Sequence, residues 1–226
     1  MDLHSTIRKI LKEETQEKKI LKFPSFEFFD KDPEIAWNII QKIVERKGNP
    51  PYSIEGDLYL EGTRIESLGN LQSVGGSLYL GNTPIESLGN LQSVGGYLNL
   101  FQTPIKYLGN LQSVGGDLNL YGTPIKSLGN LVSVGGNLRL GNTPIESLGN
   151  LQSVVGSLAL YGTPIESLGN LKSVGEDLFL YGTPIKSLGN LQSVGGDLKL
   201  DRTRLSDMYT KKQIRQMVNV ERDIYL

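Results

Sequence analysis

Leu78-Tyr79-Leu80-Gly81-Asn82-Thr83-Pro84-Ile85 decides the fold, because the chain repeats it with few changes every twenty residues. Working outward, Leu stands at 58, 78, 98 and every twentieth position to 198, and again at 60, 80, 100 and on to 200. Leucines two apart share one face of a strand, and the residue between them points the other way. Thr follows at 63 to 203, and from 83 to 183 it precedes Pro, which favours extended backbone and then a turn. Ile65 to Ile185, Leu68 to Leu188, Leu71 to Leu191 and Val74 to Val194 complete the inward set. A short unit repeated at fixed period cannot bury its apolar side alone, so it stacks. The expected fold is a mainly β solenoid with a parallel sheet of about eight short strands, some 35–40 Å long.

Three regions follow: residues 1–50, a helical N-terminal cap; 51–205, the solenoid; and 206–226, a short helical C-terminal cap. In the first, Ile7, Ile10, Leu11, Ile20 and Leu21 have helical spacing in a charged context. Asp32-Pro33-Glu34 reads as a helix start, with Ala36, Ile39, Ile40, Ile43 and Val44 as its apolar stripe and Gly48 as its stop. Thr210-Lys211-Lys212-Gln213 matches a capping box, and Val218 to Leu226 suits a last strand.

The spacing Leu-x-Leu-x-x-Thr-x-Ile-x-x-Leu-x-x-Leu resembles the leucine-rich repeat, with Thr where that family usually has Asn. Leu91-Gln92-Ser93-Val94-Gly95-Gly96 is also similar to the repeats of receptor L domains. The resemblance spans residues 55–205 and implies a right-handed solenoid with a strand-lined face used mostly to bind proteins. Twenty residues leave no room for a full outer helix, so turns or extended segments are expected there. A stacked Thr hydroxyl ladder is one way to satisfy the backbone after each strand. The charged opening and Ile214-Arg215-Gln216-Met217 faintly resemble proteins encoded by bacterial viruses.

The 226 residues carry 23 Lys plus Arg and 24 Asp plus Glu, and no segment is basic enough to suggest a nucleic-acid surface. There is no cysteine, and the single histidine is His4, so thiolate sites and histidine-based triads lack material. No catalytic, cofactor or metal residues are expected. The opening has no apolar stretch suited to a signal peptide or membrane span, so a cytoplasmic protein is expected, with virion association as a second setting. One acid pair, Asp177 and Asp197 on adjacent turns, has the spacing of a retaining glycosidase and little else to commend it.

The outward strand columns vary and are rich in aromatics. Tyr59, Tyr79, Tyr97, Phe101, Tyr121, Arg139, Tyr161, Phe179 and Tyr181 form the expected partner-binding face of a non-enzymatic scaffold module. The same rings also suit strands for purely structural reasons. Other readings are a structural component, such as a virion decoration or spacer anchored by the N-terminal helices, and glycan binding through ring stacking. The column Glu66, Glu86, Lys106, Lys126, Glu146, Glu166 and Lys186 reads as a solvated charge ladder.

Overall fold

The computed structural model describes residues 20–24 and 32–226. Successive windings lie in register and all strand pairs are parallel: Leu118 pairs with Leu138, Leu138 with Leu158, and Leu178 with Leu198. The inward columns Leu, Leu, Ile, Leu, Leu and Val are buried from the first turn to the last, none more than 8% exposed. The chain is a parallel β-solenoid of short repeats.

It has two sheets where one was expected. The Leu-x-Leu strands form a nine-stranded sheet from Leu58–Tyr59 to Leu198–Lys199, closed by Ile224–Tyr225. A ten-stranded sheet runs along another side through Ser93–Val94 and its equivalents. Leu91 and Val94 both point inward although three residues apart, so this second sheet lacks the alternation that marks a strand in sequence.

Both ends are longer windings. Leu21 pairs with Tyr52, a step of 31 residues that contains the helix Pro33–Arg46. Asp32 Oδ1 accepts the N–H groups of Glu34 and Ile35 at 2.9 and 3.1 Å, the expected N-cap. The buried stripe is Ala36, Trp37, Ile40 and Val44, with Ile39 and Ile43 at its rim, because the large Trp37 side chain takes the inner place. Leu21 corrects the helical reading of its segment. It opens the strand Leu21–Phe23, the first of the ten-stranded sheet, where lateral pairing to Tyr52–Ile54 outweighs local spacing. Ile7, Ile10, Leu11 and His4 lie outside the described residues. Tyr52 is fully buried: its hydroxyl donates to the Leu68 carbonyl and accepts from Gln41, both at 2.8 Å, and burial pushes its phenol pKa well up.

At the far end Ser193 pairs with Asn219, a step of 26 residues holding the helices Arg204–Met208 and Lys211–Met217. Each has a capping box, Thr210 with Gln213 as expected and Thr203 with Ser206 in addition. The closing segment gives two strands, one for each sheet. Arg215 ties them down by donating to the Val220 and Arg222 carbonyls at 2.6 Å each.

The threonines make no ladder between turns. Each hydroxyl from Thr63 to Thr203 donates to the Leu carbonyl three residues earlier, at 2.6 to 2.8 Å. A buried carbonyl at each strand end is thereby satisfied within its own winding.

The corner at 62, 82, 102 and onward needs left-handed backbone, and Gln102 and Arg202 adopt it at φ 54° and 57°. An L side chain there costs about 1–2 kcal/mol, of which glycine gives back part as chain entropy. Gln102→Gly is therefore expected to raise stability by about 0.5–1 kcal/mol in urea unfolding followed by circular dichroism.

Candidate recognition face

The outward side of the nine-stranded sheet carries three columns, and each has its own logic. The first, at 57, 77, 97 and onward, holds the windings together. Asp57 Oδ1 accepts the N–H of Ser77 at 2.6 Å, Ser77 Oγ that of Tyr97 at 3.1 Å, and Asp117 Oδ1 that of Asn137 at 2.8 Å. Asn137, Ser157, Asp177 and Asp197 pass the pattern on to Asp223. The column needs short side chains that accept, which explains its Asp, Ser and Asn. Only Tyr97 breaks it. Its composition was the visible signal for this role, which sequence reasoning missed.

This places the acid pair. Asp177 Oδ1 accepts the Asp197 N–H at 2.8 Å, while Asp197 accepts from the Asp223 N–H at 3.1 Å and from Lys199 at 3.1 Å. The bond from Asp223, then Lys199, hold the Asp197 carboxyl below the usual range.

The other two columns carry the rings apart from Tyr97, and the rings touch in three sets. Tyr59 stacks on Tyr79 at 4.8 Å between centroids, and Tyr79 meets Tyr97 edge-on at 5.6 Å. Phe101 lies over Tyr121 at 6.1 Å. Tyr161 and Tyr181 are stacked at 5.2 Å and 2° from parallel. Asn99 and Asn119 hold the backbone that carries the second set, each side-chain oxygen accepting the backbone N–H two residues on, from Phe101 and Tyr121. Tyr161 fills the space above Gly141, where a Cβ would fall 2.6 Å from its ring. Asn142 donates to the Tyr121 hydroxyl at 2.6 Å. Burial first, then Tyr181 and Tyr121, raise the Tyr161 phenol pKa, against Arg139. Arg139 is exposed and 3.6 Å from Asp117, and Phe179 stands half-buried between Ala159 and Lys199 on the neighbouring strands. The expected face is thus one surface with separate aromatic groups. Tyr225, absent from the expected set, joins it at the end, with Lys199 Nζ 3.5 Å above its ring.

The charged column away from the strands forms pairs rather than a ladder. Lys106 meets Glu86 at 2.9 Å, Lys126 meets Glu146 at 3.3 Å and Lys186 meets Glu166 at 2.6 Å. Backbone bonds join the same turns: Lys106 N–H to Glu86, Glu146 to Lys126 and Lys186 to Glu166, at 3.0, 2.9 and 2.8 Å. The like-charged neighbours 106/126 and 146/166 lack such bonds. There the side chains of Asn130 and Asn170 reach the Gly109 and Gly149 carbonyls at 3.5 and 3.4 Å.

Among the described residues no three His, Cys, Asp or Glu side chains gather as a metal site, and no helix is long and apolar enough to cross a membrane. Comparison with protein-family models, curated proteins and solved structures finds no match for this chain.

Proposed function

We propose that this protein is a non-enzymatic recognition module, a leucine-rich-repeat-like scaffold that holds a protein partner on its aromatic strand face. The helices at both ends serve as covers for the stack. The observation that carries the reading is the set of contacting, half-exposed tyrosine rings on a rigid parallel sheet. Such rings offer large contact area and lose little rotamer freedom on binding. They project from a surface whose backbone is already bonded on both sides, so docking requires little reordering.

The test is Tyr121→Ser, Tyr161→Ser and Tyr181→Ser combined, in affinity capture from the native source. Loss of three central aromatic anchors is expected to weaken capture more than about thirtyfold, with circular dichroism unchanged. Undiminished capture would favour the spacer reading, in which the stack only sets a distance. Loss of binding on a glycan array rather than of a protein would favour sugar.

A further inference from the structure

The three outward columns of this face carry Asp57, Glu61, Asp117, Asp177, Asp197 and Asp201 against two cations, Arg139 and Lys199. Both cations are already paired, Arg139 with Asp117 and Lys199 with Asp197. Glu176, bonded to the Ser157 hydroxyl at 3.1 Å, adds a further acid at the end where Tyr161 and Tyr181 stack. On the side away from the strands, by contrast, the ion pairs match one Lys to one Glu. Only Glu66 is left over there, so most of the surplus negative charge lies on the aromatic face, offset at its far edge by Lys211, whose Nζ is 5.9 Å from the Tyr225 centroid.

Tyrosine ring faces attract cations through their quadrupole, and carboxylates beside them add to that attraction. The chain displays the arrangement on itself: Lys199 Nζ lies 3.1 Å from Asp197 Oδ2 and 3.5 Å from the centroid of Tyr225. One winding back, Asp177 holds the column of Asp197 and acts on Lys199 only from beyond ion-pair distance, while Tyr181 stands one outward column over from that of Tyr225.

We infer that the partner docks on this face through a cationic segment, presenting lysine or arginine side chains to the tyrosines and aspartates. The inference rests on the recognition reading above and names the chemistry of what is recognised.

The full chain is titrated with a fluorescently labelled oligolysine peptide at about 0.15 M salt, where only charges within about 8 Å still act strongly, with oligoglutamate as the counter-probe. Asp177→Asn with Asp201→Asn is the face variant. Asparagine keeps the acceptor for the Asp197 N–H, as Asn137 does for Ser157 at 2.8 Å. Oligolysine is expected to bind, the face variant to weaken it about fivefold, and Glu146→Gln with Glu166→Gln on the other side to leave it within about twofold. Equal weakening by the two pairs, no binding of oligolysine, or equal binding of oligoglutamate overturns the inference. If the three serines abolish partner capture while oligolysine is not bound, recognition stands and the cationic partner falls. If the serines change neither capture nor oligolysine affinity, both fall.

Discussion

Leu138→Ala is expected to destabilise the protein by about 3–4 kcal/mol, with Arg139→Ala, one residue on, within about 0.5 kcal/mol of the parent. Leu138 is fully buried and pairs with Leu118 and Leu158, so the cavity opens against a winding on each side. Neither neighbour can collapse into it without leaving the register that its own strands impose. Arg139 points the other way from the same strand, is exposed, and has only a loose contact with Asp117 at 3.6 Å. Urea unfolding of both variants, followed by circular dichroism, checks the pair. Similar losses at the two positions would mean that the in-register spine is wrong.

The second large effect separates two glycines that the sequence makes look alike. Gly149→Ala is expected to cost about 3 kcal/mol and Gly129→Ala about 1–2 kcal/mol. Both are left-handed, at φ 58° and 57°, so both lose the conformational term. At Gly149 a Cβ would also fall 2.5 Å from the Gly129 carbonyl oxygen and 2.7 Å from its nitrogen, whereas at Gly129 nothing lies within 4 Å. The difference follows from the pairing of turns, since Asn150 N–H bonds to the Gly129 carbonyl at 3.0 Å. Thermal unfolding of the two alanine variants side by side is the measurement, and equal shifts would remove the pairing argument.

Much of this fold was legible because the columns repeat. Leucines two apart fix strand faces, and the step of twenty residues leaves parallel stacking as the economical way to bury them. Asp32 and Thr210 announced the starts of their helices by capping chemistry, which is local. What escaped depends on neighbours in space. The Ser93–Val94 strands are two residues long, and their identity as strands lies in bonds to the windings on either side. Leu21 carried an apolar pattern suited to a helix, and its partner Tyr52 stands 31 residues away. On the face, the aromatic residues were readable by type, but their division into three sets depends on which rings meet across neighbouring windings and on the space left at Gly141. The charge column looked like a uniform ladder because its blocks alternate. Only the spacing between turns shows that opposite neighbours are close and like neighbours are not.

That pairing gives the molecule two different counting units. On the strand face any single copy could be spliced out, since Leu118 and Leu158 are interchangeable in register. On the charged edge, removing one copy would leave a lysine or glutamate without its mate or beside a like charge. Excising residues 118–157 instead takes out Lys126 and Glu146 together and leaves Glu166 and Lys186 still joined. Shortening is thus tolerated best when both members of a bonded pair leave together, and the reach of the molecule changes by about 10 Å at each such step.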